Sequence, residues 1–273
     1  KRQQHAPSTT TFGTGELIAD AMEKGAKKIF LFVGGSATND AGIGMAQALG
    51  YRFLNKSGDE LKPIGASLNK IATITGKPNK KIATTEFILV SDVKNPLYGE
   101  NGAAKIFARQ KGADSDEIDS LDQGLKNFAK VMEEKFNKNI SHTPGAGAAG
   151  GLGAGAIVFL NAKAKNGIKT IMDIVNFDKY IKDADFVISG EGKFDTQTLE
   201  GKVVQGVIEK CMLFDKQLGI ICGISELQLD DLNKTPVKII APIMNGQVDQ
   251  KTAFSEARKL VSIRAKEIMQ ILV

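Results

Sequence analysis

Apolar residues recur along this chain in two ways, and each predicts a different kind of element. Between residues 114 and 136 they return every three or four positions, which is the spacing of one face of an α-helix. A capping box formed by Asp114 and Glu117 marks the beginning of this helix. The apolar face consists of Ile118, Leu121, Leu125, Phe128, Met132 and Phe136. Such a face is typical of core packing, so we assign it no ligand.

Short continuous apolar runs predict buried strands. The runs are residues 29–33, 87–90, 186–189, 218–222 and 237–240. Runs of this length, bounded by turn residues, are typical of parallel strands covered on both faces. From about residue 167 the runs alternate with helical patterns over 203–212 and 252–272, which predicts an α/β domain.

The pattern between these runs predicts smaller elements. Thr14 is a candidate N-cap for a helix over residues 16–24, and small residues predict another helix ending near Leu49. Residues 51–54 and 59–61 flank a turn and predict a hairpin. Residues 1–11 are polar and are interpreted as a linker.

The first polar feature with chemical potential is the loop at residues 34–42, Gly-Gly-Ser-Ala-Thr-Asn-Asp-Ala-Gly. It lies between a predicted strand and a predicted helix, so free backbone N–H groups and a helix dipole favour an anion, with phosphate the obvious candidate. Thr38, Asn39 and Asp40 add polar side chains. A tight turn capped by Asn39 or Asp40 is the alternative interpretation, and the loop alone leaves both open.

A second polar loop, residues 190–202, follows the run at 186–189. In open α/β sheets, ligands bind beyond the carboxyl ends of strands, where this loop is expected. Asp92 lies in an equivalent position, just beyond the run at 87–90. Carboxylates, lysines and hydroxyls occur together in the second loop, which favours function over an idle surface segment: Glu191, Lys193, Asp195, Thr196, Thr198, Glu200 and Lys202.

Residues 144–153 contain a literal G-x-G-x-x-G pattern. This pattern indicates a dinucleotide site only when a strand leads into it, and the preceding residues 137–143 are polar. We therefore interpret the segment as a loop whose glycines allow the close approach of another backbone or a ligand. A dinucleotide-dependent oxidoreductase stays open as a weaker alternative.

Composition excludes several classes of function. The net charge of +5 is spread over the 273 residues without a basic cluster, so no nucleic-acid partner is expected. Only two cysteines occur, Cys211 and Cys222, which favours a reducing, cytoplasmic compartment and no metal cluster. His5 and His142 lie in loop-like sequence, which argues against zinc and a Ser-His triad. No apolar stretch approaches the roughly 18 residues of a membrane span.

The remaining chemistry suits phosphoryl transfer. That reaction needs a phosphate cradle, Mg²⁺ held by carboxylates, a cation, and a group that positions or deprotonates the acceptor hydroxyl. The chain contains residues of all four kinds but neither the Walker pattern nor the protein-kinase motifs.

Six blocks in the same order resemble the bacterial type of glycerate kinase, from Thr10 almost to the end of the chain. They are residues 11–18, 34–42, 92–97, 110–113, 144–153 and 190–202. The resemblance implies ATP- and Mg²⁺-dependent phosphorylation of D-glycerate to 2- or 3-phosphoglycerate. It also implies two α/β domains with the site in the cleft between them: a flavodoxin-like domain, with residues 167–273 as its C-terminal half, and an inserted domain over residues 12–166.

Site roles follow from the resemblance together with the positions of the loops. Asp195 and Lys193 are the expected catalytic residues, with Asp195 orienting or deprotonating the glycerate hydroxyl. Asp40 and Glu191 are candidate Mg²⁺ ligands. The expected substrate- and nucleotide-binding residues are Gly34, Gly35, Ser36, Thr38, Asn39, Asp92, Gly190, Gly192, Thr198 and Lys202.

The sequence also departs from the family pattern. Ala41, Ser91, Arg109 and Lys193 replace a usual glycine, cysteine, proline and arginine, and Lys193 loses a bidentate fork. The family's N-terminal segment, with an Asp-Ser-Phe-Lys-Gly-Ser motif, is not among the 273 residues. We expect the chain alone to be marginally stable or inactive. A degenerate or truncated non-catalytic fragment is therefore the main alternative function, and the oligomeric state is left open.

Overall fold

The computed structural model describes residues 5–200 and 203–272. The chain forms two compact units, Lys1–Asn166 and Gly167–Val273, and each has a parallel sheet flanked by helices. The α/β prediction is thereby confirmed. Among the described residues, no helix combines the length and the apolar character needed to cross a membrane.

The first unit is built on a three-stranded parallel sheet. In chain order its elements are α1 (Phe12–Glu23), β1 (Lys28–Phe32), α2 (Ile43–Ala48), β2 (Tyr51–Leu54), β3 (Thr73–Gly76), β4 (Glu86–Val90), α3 (Ala103–Phe107), α4 (Ser115–Phe136), α5 (Leu152–Phe159) and β5 (Lys163–Lys165). The strand order is β1-β4-β5, with Phe30 opposite Ile88. Because β1 and β4 are parallel, the loops that follow them leave the sheet at the same edge.

Aromatic packing around Phe159 holds α5 and α4 against the small β2–β3 sheet. The Phe159 ring centroid lies 4.9 Å from that of Tyr51, 5.8 Å from that of Phe53 and 6.2 Å from that of Phe128. The apolar face predicted for α4 is largely buried in this core. Packing is therefore the role of α4.

Of two local predictions in this unit, the hairpin is present only in a short form, and the linker is wrong. Strand β2 pairs antiparallel with β3, and the expected partner at residues 59–61 supplies only an isolated bridge between Glu60 and Leu54. Tertiary packing completes the β2 edge with a segment distant in sequence. Residues 5–11 also belong to the unit instead of a linker, since Ala6 is fully buried and its N–H donates to the carbonyl of Lys111 over 2.9 Å.

The second unit has a parallel sheet of order β6-β7-β8. Its elements are α6 (Gly167–Ile174), α7 (Phe177–Lys182), β6 (Phe186–Phe194), α8 (Val203–Leu213), β7 (Gln217–Ser225), β8 (Val237–Pro242), α9 (Gln250–Ser255) and α10 (Ala257–Leu272). The predicted closing helix is thus two helices, which meet at Glu256. Strand β6 extends five residues past the predicted end at Ser189, because Gly190, Glu191, Lys193 and Phe194 continue to pair with β7.

The capping box of α4 provides a test of local stability. Asp114 Oδ1 accepts the Glu117 N–H at 2.9 Å, and Glu117 Oε2 accepts the Asp114 N–H at 3.0 Å. We expect Asp114→Ala to lower the free energy of unfolding by about 1 kcal/mol in urea titrations, because it leaves helix N–H groups uncapped. Asp116→Ala, in the same turn but outside the cap, is the control. Equal effects of the two changes would contradict the role of the cap.

Candidate functional site

The loop at residues 34–42 leaves the carboxyl end of β1 and enters α2. Gly35 and Gly42 have φ values of +58° and +75°, which favour glycine, and Ala41 adopts the same left-handed region at 53°. No atom lies within 4 Å of the position that a Cβ would occupy on Gly34 or Gly35. The backbone of these two glycines therefore borders open space in which a ligand can approach it.

A pocket of about 320 Å³ occupies that space. Its lining includes Val33, Gly34, Gly35, Ser36, Val93 and Lys111. A second pocket, of about 400 Å³, shares Gly34 and Ser36 and is also lined by Thr38. The first four residues predicted for ligand binding in this loop thus line concave surface.

Asp40 was predicted to be a metal ligand, which requires a carboxylate that faces a ligand site, but its carboxylate faces the protein interior. Its carboxylate is fully buried: Oδ2 accepts the Thr11 N–H at 2.7 Å, the Thr11 hydroxyl at 2.8 Å and the Gly44 N–H at 3.3 Å, while Oδ1 accepts the Gly42 N–H at 3.1 Å. Burial raises the pKa of the Asp40 carboxyl, and the hydrogen bonds from Thr11, Gly42 and Gly44 act against that rise. Both oxygens are used to join the start of α2 to residue 11.

Thr11 explains a second difference from the sequence prediction. Helix α1 begins at Phe12, and Thr11 lies at its N-cap position in place of Thr14. The Thr11 hydroxyl makes no cap there, because it donates to Asp40 and accepts the Met45 N–H at 2.9 Å. Thr11 and Asp40 together fix the C-terminal half of the glycine loop.

Lys111 lines the first pocket, although the sequence alone did not identify it as a site residue. It ends the short 3₁₀ helix Arg109–Lys111, and only 4% of the residue is exposed. Its Nζ donates to Ser36 Oγ and to the Thr38 carbonyl, both at 2.9 Å. Burial lowers the pKa of Lys111 to about 8, although the charge of Asp40 opposes the change. The one signal in the sequence was its place in the block at residues 110–113.

The glycine segment at residues 144–153 supports the loop from behind. A Cβ on Gly150 would lie 2.0 Å from the Thr38 carbonyl oxygen, and one on Gly151 would lie 2.9 Å from the Ala41 Cα. The Gly150 carbonyl accepts the Ala41 N–H at 3.1 Å. Residues 144–151 are turns that follow no strand, so nothing supports the dinucleotide interpretation. Close backbone approach, the favoured interpretation, is what this segment provides.

Two further predicted residues of the first unit have distinct surroundings. Asp92, beyond β4, accepts a hydrogen bond from Asn166 Nδ2 at 2.7 Å. Asn39 is completely buried, and neither its Oδ1 nor its Nδ2 has a hydrogen-bond partner among the described residues. Because it is buried, Asn39 lines neither of the two pockets beside the loop, in contrast to its predicted role in binding.

In the second unit, Asp195 and Thr198 form a compact turn after β6. Asp195 Oδ1 accepts the Thr198 N–H at 3.2 Å, which caps the 3₁₀ helix Thr196–Glu200. Asp195 Oδ2 lies 3.3 Å from Lys193 Nζ, and Lys193 also pairs with Glu226 at 2.8 Å. The hydrogen bond to Glu226, followed by that to Asp195, raises the pKa of Lys193. The structure thus brings the two predicted catalytic residues into contact.

Gly190, Glu191 and Gly192 lie on β6 itself and not in a loop. Gly190 packs against β7, where an added Cβ would lie 2.9 Å from the Ile221 carbonyl oxygen, whereas Gly192 faces open space. Glu191 and Cys222 line a pocket of about 360 Å³, and burial, with Glu191 as a smaller contributor, raises the pKa of the Cys222 thiol to about 11. Lys202 lies outside the described residues.

The fit of Mg²⁺ differs between its two candidate ligands. Asp40 does not fit, because backbone and Thr11 donors occupy both oxygens. Glu191 has its Oε1 shielded from solvent beside a largely apolar pocket lining. Within residues 5–200 and 203–272 no group of three or more His, Cys, Asp or Glu side chains could hold a metal ion.

Comparison with known proteins gives concordant results. The model of the glycerate kinase family matches residues 1–273. Glycerate kinase of Bacillus cereus is 38% identical over 98% of this chain and 72% of its own length. Glycerate 2-kinase of Escherichia coli is 40% identical over 82% of this chain, which spans 58% of that protein. A crystal structure of a candidate glycerate kinase 2 from Salmonella typhimurium superposes with a TM-score of 0.82 at 32% identity, over 99% of this chain and 72% of the other.

Proposed function

This chain belongs to the glycerate kinase family of phosphotransferases, and we propose that it catalyses the ATP-dependent phosphorylation of D-glycerate to phosphoglycerate. The match to the family over residues 1–273 carries this proposal. The resemblance found from six sequence blocks is confirmed by the same match. Neither the oxidoreductase nor the degenerate-fragment alternative is supported by the structure or by the comparisons.

In the first unit, the glycine loop is the proposed phosphate site. Phosphoryl transfer depends mainly on positioning and on charge stabilisation, so a rigid cradle of backbone donors is a direct contribution to catalysis. Gly34, Gly35 and Ser36 line the pocket and offer the surface on which a phosphate can lie. Thr11 and Asp40 act behind them by fixing the loop, and we replace the metal-ligand hypothesis for Asp40 with this positioning role.

In the second unit, Asp195 is the proposed group that orients or deprotonates the acceptor hydroxyl of glycerate. Its Oδ1 is fixed by the Thr198 N–H, and its Oδ2 pairs with Lys193. A carboxylate held in this way keeps a constant orientation toward an incoming hydroxyl. Lys193 is the proposed cation for substrate charge, alongside Lys202, and Gly190, Gly192 and Thr198 stay proposed binding residues.

Mg²⁺ is proposed to be bound chiefly by the phosphates of ATP. Magnesium in such sites keeps several waters and is bound by one or two carboxylates together with substrate phosphates, so a cluster of acidic side chains is not required. Glu191 is the remaining candidate among the predicted ligands. Asp92 is proposed as a binding residue on the first unit, and a cytoplasmic location is proposed from the two free, buried cysteines.

The function is tested by measuring ADP release with ATP, Mg²⁺ and D-glycerate. We expect release that depends on glycerate, with a reaction lacking glycerate as the blank. The assay uses the 273-residue chain and, beside it, the same chain fused to the part of the Bacillus cereus relative that it does not match. Glycerate-dependent release by either protein supports the proposal. Its absence from both would contradict it.

A further inference from the structure

Lys111 is a buried lysine whose ammonium group has only uncharged hydrogen-bond partners among the described residues. The residue is 4% exposed, and its ammonium group carries three N–H donors. Ser36 Oγ and the Thr38 carbonyl accept two of them. Both of these partners are uncharged, and no carboxylate of the described residues forms an ion pair with Lys111 Nζ. The third donor has no hydrogen-bond acceptor in the part of the chain that the structure describes.

A buried ammonium without an opposite charge is costly, because burial removes it from water. The lowered pKa of Lys111 is the expected consequence of this loss of hydration. Asp40, whose charge is felt at Lys111, already accepts four hydrogen bonds of its own. The charge of Lys111 is therefore best compensated by an anion that comes from outside the protein.

The surroundings of Lys111 are suited to such an anion. Lys111 lines the same pocket of about 320 Å³ as Gly34, Gly35, Ser36, Val93 and Phe107. The two glycines expose backbone on one side of this pocket, since no atom lies within 4 Å of either Cβ position. The exposed backbone of the two glycines and the ammonium of Lys111 thus border one space, whose other polar side chains, Ser36 and Gln110, carry no charge.

We propose that Lys111 is a nucleotide-binding residue whose ammonium group pairs with a phosphate oxygen of ATP in the pocket beside Gly34 and Gly35. This inference rests on the proposed function, because that function supplies the nucleotide. A phosphate has several charged oxygens that can accept from an ammonium and from loop N–H groups together, whereas the glycerate carboxylate has two. The hydrogen bonds from Lys111 Nζ to Ser36 and Thr38 also fix the position of the ammonium group relative to the loop.

Calorimetric titration of the chain with ADP, without Mg²⁺, tests this assignment. We expect Lys111→Met to weaken ADP binding by about tenfold to a hundredfold or slightly more, the effect of losing one charge-assisted hydrogen bond. Lys111→Arg keeps the cation and should retain most of the affinity. Titration with D-glycerate forms the second arm, and its affinity should change little. A loss confined to glycerate would overturn the assignment to phosphate.

Lys138→Met is the matched control. Lys138 Nζ also donates to a backbone carbonyl, that of Ile157 at 3.1 Å, and to a side-chain oxygen, Asn161 Oδ1 at 3.2 Å. It lines neither of the pockets beside the glycine loop. Its replacement should leave ADP binding unchanged. An equal loss in Lys138→Met and Lys111→Met would indicate a general structural effect and would overturn the proposal.

The unchanged chain gives a second measurement, which does not depend on whether Lys111→Met folds. Because the pKa of Lys111 is lowered to about 8, its ammonium loses its proton as the pH rises through this value. From pH 7 upward, where the ADP phosphates are already ionised, ADP affinity should therefore fall as Lys111 loses its proton, and the fall should be clearly smaller in Lys111→Arg, which keeps its charge. The other charged residues on segments around Lys111 are Asp40, Asp92, Lys94 and Arg109. Any effect of these residues on the pH dependence of ADP affinity is present in Lys111→Arg as well, so the difference between the two proteins reports on Lys111.

The outcomes separate this inference from the proposed function. Weaker ADP binding by Lys111→Met together with no glycerate-dependent ADP release would keep the phosphate contact and reject the kinase. Kinase activity of the unchanged chain together with unchanged ADP affinity in Lys111→Met would support the kinase and reject the phosphate contact of Lys111. Absence of ADP binding by the unchanged chain, or the same pH profile with lysine and with arginine, would also overturn the role of Lys111.

Discussion

Asp195→Asn is expected to lower kcat by roughly a hundredfold or more, with a much smaller change in the KM for D-glycerate. Asparagine is nearly isosteric with aspartate and keeps an oxygen that can accept the Thr198 N–H, so the cap of the 3₁₀ helix Thr196–Glu200 is retained. The amide cannot accept a proton and carries no charge to pair with Lys193. The change therefore removes the chemical role of Asp195 while keeping its structural one.

Asp249→Asn is the control for this variant. Asp249 caps α9 in the same manner, through Oδ1 and the Thr252 N–H at 2.7 Å, and it also has a threonine three residues later. We expect its replacement to leave kcat unchanged. Both variants are measured in whichever preparation shows glycerate-dependent ADP release. Near-normal turnover by Asp195→Asn would refute its role as base or orienting group.

Gly150→Ala is expected to have the largest effect on stability. Gly150 has a φ of +71°, and an added Cβ would lie 2.0 Å from the Thr38 carbonyl oxygen and 2.7 Å from the Asn39 Cα. These are backbone atoms, so relief of the clash requires movement of the whole glycine loop. We expect the free energy of unfolding to fall by about 3 kcal/mol, the sum of an unfavourable φ and overpacking.

Gly58→Ala is the control that separates the cost of an unfavourable φ from the cost of overpacking. Gly58 has a similar φ of +86°, but no atom lies within 4 Å of its Cβ position. Its replacement carries only the conformational cost, about 1 kcal/mol. Urea unfolding followed by circular dichroism measures both variants, and ADP titration reports on the loop. Equal destabilisation by the two changes would show that Gly150 does not support the loop through close contact.

The sequence predicted the elements whose signals are local. The face of α4 and its capping box were correct because a helix of this length reveals its period, and because Asp114 and Glu117 contact each other within one turn. The runs that became β1, β4, β6, β7 and β8 were recognised because buried parallel strands are continuously apolar. The main partner of β2 was missed because β3 lies about twenty residues further along the chain. Tertiary packing, which the local sequence does not show, brings these two strands together.

The candidate site shows the same division. The glycine loop was recognised from a strand, two glycines and a helix in succession, all of which are local. The surroundings of Lys111 and Asp40 were not recognised, because each depends on contacts with residues far away in sequence. Lys111 reaches Ser36 and Thr38, and Asp40 accepts from Thr11. A carboxylate in a glycine loop has the same sequence signature whether it faces a metal ion or the protein backbone.

The sequence by itself therefore determined the α/β class, the family and the position of the glycine loop along the chain. These follow from hydrophobic period, from turn residues and from six blocks in a fixed order. Only the tertiary structure decided which polar groups of the loop are used internally and which ammonium group is buried beside the loop with uncharged hydrogen-bond partners. The physical reason is that hydration, hydrogen-bond partners and close backbone contacts at residues such as Lys111, Asp40 and Gly150 depend on segments that folding brings together.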